Sequence, residues 1–157
     1  MEKGSSGVLV SDGNFVLLAK RNCDPGVNFP GHWSLFAGAI EAGETAEEAA
    51  GRELFEESKI DAKGNLVLLQ ETSRKKYGDL FIYLYMVPEI PKPVIDFEHT
   101  EWGIFRIDTI GVSPEPMDRD IVNAVSKIPG MHIRGIERVE PISGKYRPPY
   151  AENPRPT

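Results

Sequence analysis

Residues 38–60 read GAIEAGETAEEAAGRELFEESKI, and this stretch predicts the central helix of the fold. Thr45 and Glu48 have the spacing of a capping box, so we expect a helix that begins at Thr45 and ends at Ser58. Alanine, leucine and glutamate dominate the segment, and all three are good helix formers. Gly51 is the poor helix former among them, and a glycine at this position indicates close packing against another backbone.

Glu53, Glu56 and Glu57 form an acidic cluster on this helix. Their spacing places all three on one face with Cβ atoms roughly 5–6 Å apart, where like charges repel each other. Carboxylate oxygens are the ligands that Mg²⁺ and Mn²⁺ prefer, and a bound cation relieves the repulsion. The alternative is a solvated acidic helix face without a ligand. Arg52 adjoins the cluster and can orient a carboxylate through a bidentate hydrogen bond, which favours a site.

The spacing of the whole stretch resembles the pattern of the Nudix hydrolases, the MutT-like pyrophosphohydrolases. The matching residues, at the family's fixed spacing, are Gly38, Glu44, Arg52, Glu53, Leu54, Glu56, Glu57 and Ile60. Lys59 stands where the pattern has a glycine, and because lysine adopts a left-handed conformation less readily, we expect the helix end to run differently. Phe36-Ala37-Gly38 stands where the family often has Pro-Gly-Gly.

The resemblance implies a role for each residue of the site. The implied ligands of Mg²⁺, or of Mn²⁺ in its place, are the Ala37 carbonyl and the carboxylates of Glu53, Glu56 and Glu57. The implied supporting residues are Arg52 and Glu44, which hold the carboxylates, and Gly38 and Gly43 in the loop before the helix. The general base varies between subfamilies, and here it is either a glutamate of this helix or one of the later residues Glu98 and Glu101.

Aromatic and basic residues near this stretch are candidate substrate contacts. Trp33 and Phe36 lie beside the loop; we expect core packing for at least one of them, and base stacking is the alternative. The basic run at residues 74–77 is interpreted as a solvated hairpin tip rather than as a phosphate contact. Arg119 is a further candidate for substrate binding, with an ordinary surface arginine as the alternative.

Apolar runs and turn residues elsewhere predict one mixed α/β (α+β) domain at residues 1–140. The predicted strands cover residues 8–10, 15–18, 33–36, 66–70, 80–87 and 101–107. An amphipathic helix is predicted over residues 117–128, and loops over 22–32 and 37–44. This order and the resemblance imply a three-layer α/β/α sandwich with a mixed β-sheet. Residues 141–157 are rich in proline and predict an extended or disordered tail. A homodimer, with a contact made by this tail, remains an open alternative.

The composition excludes several classes of protein. The chain has 157 residues, of which 40% are hydrophobic and 27% charged, as in one globular domain. Its net charge of −6 argues against broad contact with long nucleic acid but not against a small phosphorylated ligand, because a metal ion can supply local positive charge. A single cysteine, Cys23, excludes a disulfide framework. The sequence shows neither an apolar run of membrane-spanning length nor the apolar core of a signal peptide, so we expect a cytoplasmic location.

Two functions of different class are compatible with these residues. The first is a Mg²⁺-dependent hydrolase that cleaves a diphosphate linkage in a nucleoside-diphosphate derivative by water attack at phosphorus. The second is a catalytically silent Nudix-fold nucleotide-binding module, which would not need a complete set of metal ligands. A calcium-binding protein is a weaker third hypothesis, because the glutamates lie on a helix rather than at the alternating loop positions of an EF-hand. The candidate substrates are nucleoside triphosphates, dinucleoside polyphosphates, nucleotide sugars, and capped or triphosphorylated RNA.

Overall fold

The computed structural model describes residues 4–24, 29–76, 78–112 and 116–129. Within these ranges the strands are β1 (Ser5–Ser11), β2 (Phe15–Arg21), β3 (Trp33–Ser34), β4 (Phe36–Ala39), β5 (Val67–Thr72), β6 (Leu80–Met86) and β7 (His99–Arg106). The helices are α1 (Ala46–Ser58) and α2 (Arg119–Val125), with a 3₁₀ helix at Ile107–Val112. The predicted tail at residues 141–157 lies outside the described residues. None of the helices in the described ranges is long and apolar enough to cross a membrane.

Strand β1 lies at the centre of one mixed sheet with the order β3-β2-β1-β6-β5. It pairs in parallel with β6, from Ser5 opposite Leu80 to Ser11 opposite Met86. Its other edge pairs antiparallel with β4 near Ser5 and with β2 near Ser11. Strand β7 pairs with β2, and β5 pairs with β6. The Ser5 end of β1 therefore carries β4, the strand that leads into the loop before α1.

The two faces of the sheet are covered by different helices. Val8 and Val10 of β1 belong to the same hydrophobic cluster as Leu54 of α1. Leu9 belongs to a second cluster that contains Ile121 of α2. Because successive residues of a strand point to opposite faces of the sheet, the two clusters lie on opposite sides of β1. This arrangement confirms the predicted three-layer sandwich with a mixed sheet.

Helix α1 begins as the sequence predicts. Thr45 Oγ1 accepts from the Glu48 N–H at 3.0 Å, and the Glu48 carboxylate accepts from the Thr45 N–H at 2.9 Å, which completes the capping box. The predicted deviation at the helix end is wrong, because Lys59 adopts the left-handed conformation with a φ of 66°. The predicted close backbone packing at Gly51 is also wrong, since the nearest atom that a Cβ there would meet is Leu66 Cδ1 at 3.9 Å.

Boundaries beside the two helices also differ from the prediction. The loop predicted over residues 37–44 begins later, because β4 extends to Ala39 by pairing with β1. The helix predicted over residues 117–128 is shorter and runs from Arg119 to Val125. Asp118 caps its N-terminus by accepting from the Asp120 N–H at 2.9 Å. Its amphipathic character is confirmed, since its buried residues are Ile121, Ala124 and Val125.

Candidate active site

Pairing of β4 with β1 holds the backbone of β4 against helix α1. The Ser6 hydroxyl donates to a carbonyl in the first turn of α1 at 2.6 Å. The Ala37 N–H donates to Glu57 Oε1 at 3.0 Å. Gly38 lies so close to Glu53 that a Cβ at this position would stand 2.2 Å from Glu53 Oε2. Two carboxylates of the acidic cluster are therefore packed directly against the backbone of β4.

The Arg52 guanidinium holds the acidic residues around it. It donates to both oxygens of Glu44, from Nε at 2.6 Å and from Nη2 at 3.0 Å. Its Nη1 donates to Glu53 at 3.0 Å and to Glu56 at 3.3 Å. The hydrogen bond to Glu44 raises the pKa of Arg52 further above its usual range, with burial opposing. Gly43 has a φ of +84°, a conformation that suits glycine, in the turn that presents Glu44.

Glu57 is the buried carboxylate of the cluster, with 4% of its surface exposed. Burial is the largest cause that raises the pKa of Glu57, and with the charges of Glu53, Glu98 and Asp96 it brings this pKa to about 9. Burial also raises the pKa of Glu53, while its hydrogen bond with Arg52 opposes the rise. The charged form of Glu57 is therefore disfavoured unless a cation compensates it.

The donor set of the cluster fits a divalent cation. Hard cations such as Mg²⁺ bind carboxylate and carbonyl oxygens, and Glu53, Glu56 and Glu57 present carboxylates from one helical face beside the backbone of Ala37. In the described ranges no three acidic, histidine or cysteine side chains already converge on one point. Glu53 and Glu56 instead accept hydrogen bonds from Arg52.

The two later glutamates lie in different surroundings. Glu98 acts on the cluster, since its charge is among the causes that raise the pKa values of Glu53 and Glu57. Its carboxylate lies 3.9 Å from Arg21 Nη2. Glu101 lies in β7 opposite Lys20, with its carboxylate 3.9 Å from Lys20 Nζ and 47% of its side chain exposed. Of the two candidates for the later general base, Glu98 is the one that the fold brings to the cluster.

An inner cavity lies beside Ala37 and Gly38, and an outer cavity shares part of its lining. The inner cavity has a volume of about 110 Å³, and the outer cavity has about 460 Å³. Phe29, Arg74 and Asp118 line both cavities, so we describe them together as the cleft. Ala37 and Gly38 line its inner end. The cleft therefore leads from the backbone that contacts the acidic cluster to the surface.

The predicted aromatic contacts are core residues. Trp33 and Phe36 are both 0% exposed, which confirms core packing and does not fit base stacking by either ring. Trp33 packs edge-to-face on Phe105 with the ring centroids 5.0 Å apart. The aromatic ring that does line the cleft is Phe29, with 39% of the residue exposed. Phe29 falls in the loop predicted over residues 22–32, where no sequence pattern marked it.

Basic residues line the outer cavity of the cleft. Arg119, the predicted candidate for substrate binding, is one of them. Arg74, Lys75 and Lys76 line it too, although their sequence was interpreted as a solvated hairpin tip. Asp118 was not among the predicted site residues. Its position as the N-cap of α2 is the sequence signal that could have identified it. Burial raises the pKa of Asp118, while its hydrogen bond with the Asp120 backbone opposes the rise.

Curated relatives match part of the chain. The nucleoside triphosphatase NudI of Enterobacter sp. (strain 638) is 47% identical over 49 residues, which cover 31% of this chain and 34% of that protein. The NudI protein of Shigella flexneri is 39% identical over 71 residues, which cover 45% of this chain and 46% of that protein. The chain thus spans less than half the length of these relatives.

Solved structures and a family model match most of the chain. A MutT NUDIX hydrolase from Burkholderia pseudomallei superimposes with a TM-score of 0.68 at 22% identity, covering 82% of this chain and 99% of that one. The dihydroneopterin triphosphate pyrophosphohydrolase of E. coli gives a TM-score of 0.59 at 22% identity, covering 80% of this chain and 96% of that one. The model described as NUDIX domain matches residues 1–126. The chain therefore belongs to the NUDIX family.

Proposed function

We propose that this chain is a Mg²⁺-dependent hydrolase that cleaves a diphosphate linkage in a nucleoside-diphosphate derivative by water attack at phosphorus. The observation that carries the proposal is the buried Glu57 carboxylate, whose pKa is raised to about 9 beside Glu53 and Glu98. The Glu57 carboxyl needs a nearby cation to be charged near neutral pH. The family of the chain and the complete Arg52-Glu53 and Glu56-Glu57 pattern support the same reaction.

The residues of the site have three different roles in this reaction: metal binding, positioning and proton transfer. Glu53, Glu56, Glu57 and the Ala37 carbonyl would hold Mg²⁺, with Mn²⁺ as a substitute. When bound, the metal would neutralise the charge that the diphosphate carries as water attacks. Arg52 fixes the helix carboxylates through its bidentate bond to Glu44. Glu98 is the residue that we propose as general base, accepting the proton of the attacking water at its carboxylate.

The cleft supports a nucleoside triphosphate as the substrate class. The phosphates would lie at the inner end beside Ala37 and Gly38, where the acidic cluster begins. The nucleoside would lie in the outer cavity, where the exposed ring of Phe29 can stack on a base. The curated relatives named nucleoside triphosphatase support this choice over the other candidate substrates.

The test of the proposed function is a panel of nucleotides with and without Mg²⁺. Nucleoside triphosphates, dinucleoside polyphosphates and nucleotide sugars are incubated with the protein, and phosphate, pyrophosphate and nucleotide products are identified by chromatography. We expect Mg²⁺-dependent cleavage within the phosphate chain of the triphosphates. Nucleotide binding without turnover in any member of the panel would favour the binding module instead.

Gly38→Ala is expected to weaken Mn²⁺ binding by at least about tenfold. The added Cβ would overlap the Glu53 carboxylate, which must then move away from the cluster. Gly64→Ala is the matched control, because a Cβ there meets nothing within 4 Å and the change strains only a positive φ outside the site. Calorimetric titration of Mn²⁺ into the three proteins measures the effect. Equal affinity of wild type and Gly38→Ala would show that Glu53 does not bind the metal.

Arg74→Gln is expected to raise KM for a nucleoside triphosphate about tenfold and to leave kcat nearly unchanged. A hydrogen bond from a charged donor contributes roughly 1.5–3 kcal/mol to binding, and Arg74 lines both cavities of the cleft. Lys127→Gln, at an exposed position in the turn after α2, is the control with the same loss of charge. An unchanged KM for Arg74→Gln would show that Arg74 does not contact substrate and would favour a solvated hairpin tip at residues 74–76.

A further inference from the structure

The segment Asp96–His99, which we call the Asp96 turn, is organised by one carboxylate oxygen. Asp96 Oδ1 accepts from the Glu98 N–H at 3.1 Å and lies 3.2 Å from His99 Nδ1. The Asp96 carbonyl also accepts from the His99 N–H at 3.2 Å. Since a carboxylate accepts hydrogen bonds, the His99 proton is assigned to Nδ1. The backbone of Glu98 and the ring of His99 are thus tied to the same side chain.

His99 links the Asp96 turn to the strand that carries the site. The residue is 5% exposed, and its ring packs edge-to-face on Phe36 of β4 with the centroids 5.5 Å apart. Phe36 directly precedes Ala37, whose N–H donates to Glu57. His99 Nε2 is buried and has no hydrogen-bond partner in the described part of the chain. An apolar ring would fill the same space without burying an unpaired nitrogen, so the Nδ1 bond to Asp96 is what the imidazole adds.

A second set of contacts holds the same turn from Arg21, the last residue of β2, and from Asn22, which follows it. The Asn22 N–H donates to the Glu98 carbonyl at 2.9 Å, and Asn22 Nδ2 donates to the Phe97 carbonyl at 3.0 Å. Arg21 Nη2 lies 3.9 Å from Glu98 Oε1. The Glu98 backbone is therefore fixed at both its N–H and its carbonyl, and its carboxylate lies near Arg21.

We propose that Asp96 and His99 are positioning residues for the hydrolysis, which hold the Glu98 carboxylate towards the Glu53–Glu57 cluster. Neither residue touches substrate in this assignment; both act through Glu98. The inference rests on the proposed function and on Glu98 as general base. If Asp96 and His99 only stabilised the turn, their replacement would lower the stability of the fold. Any effect on kcat would then be the same whichever side chain stands at position 98.

A double-mutant cycle between Asp96 and Glu98 tests the assignment. Asp96→Ala is expected to lower kcat by about tenfold or more with little change in KM, because a misplaced catalytic group slows the chemical step. In a Glu98→Gln background the same change should produce no further loss. Equal loss in both backgrounds, or full activity of Glu98→Gln, would overturn the assignment. Absence of hydrolysis by the wild-type protein would overturn the proposed function itself, which is a different result.

Variants of His99 keep the test independent of folding. His99→Phe retains the ring on Phe36 and loses the Nδ1 bond, so kcat should fall while the thermal unfolding temperature stays the same or rises. His99→Asn places an amide donor near the position of Nδ1 and should recover part of the lost kcat. Asp12→Ala is the matched control, since Asp12 Oδ1 accepts two backbone N–H bonds in the β1–β2 turn, at the other end of the sheet. It should lower stability and leave kcat unchanged. Unchanged kcat in His99→Phe would contradict the assignment.

Discussion

Glu57→Gln is expected to lower kcat by about 10²–10³, the usual cost of removing one group that stabilises charge in a transition state. The substitution is nearly isosteric and keeps a carbonyl oxygen to accept the Ala37 N–H, which donates to Glu57 at 3.0 Å. It removes only the charge that the proposed metal requires. The fold should therefore survive, and the metal-free protein should be as stable as wild type or more stable, since a buried carboxylate without a cation is unfavourable.

The control for this variant is Glu47→Gln. Glu47 lies on the same helix and is exposed, so its replacement changes the charge of α1 by the same amount away from the cluster. It should leave kcat within about twofold of wild type and change stability by a few tenths of a kcal/mol, roughly. Steady-state hydrolysis and metal-free thermal unfolding are measured on both variants. Full activity of Glu57→Gln would reject the proposed mechanism and favour a solvated acidic helix face.

The metal-free protein is expected to lose stability as the pH rises from about 5 to about 9. The pKa of Glu57 is raised in the folded protein to about 9 from an ordinary value of 4.5. The folded state therefore binds more protons than the unfolded state across this window, so the free energy of unfolding decreases with rising pH. Below the ordinary pKa the Glu57 carboxyl is protonated in both the folded and the unfolded state, so its contribution to stability is fully present. The loss should be on the order of a few kcal/mol.

Two comparisons test this pH dependence by chemical unfolding at a series of pH values. Glu57→Gln has no carboxyl at this position, so its metal-free stability should vary much less with pH. Saturating Mg²⁺ should stabilise the wild type most at the alkaline end, because metal binding displaces the proton. A metal-free wild type whose stability is flat, or rises, between pH 5 and pH 9 would show that Glu57 ionises without penalty.

The sequence by itself determined helix α1 and its acidic face. The capping box of Thr45 and Glu48 and the positions of Glu53, Glu56 and Glu57 on one face depend on hydrogen bonds and side-chain spacings within one or two turns. The strand predicted at residues 8–10 lies within β1 and was readable for the same reason, because a short apolar run is a local feature. The family pattern also depends on such fixed local spacing, and the match over residues 1–126 confirms it.

Only the tertiary structure decided which distant residues meet this helix. Pairing with β1 turned the predicted loop after Phe36 into strand β4 and buried that ring, although neither effect is encoded in the local sequence. Whether Glu98 or Glu101 lies near the acidic cluster depends on the turn of the chain before β7. Hydrogen bonds with Asp96 and Asn22 hold this turn. Contacts between residues far apart in sequence carry no local period, so composition and spacing do not predict them.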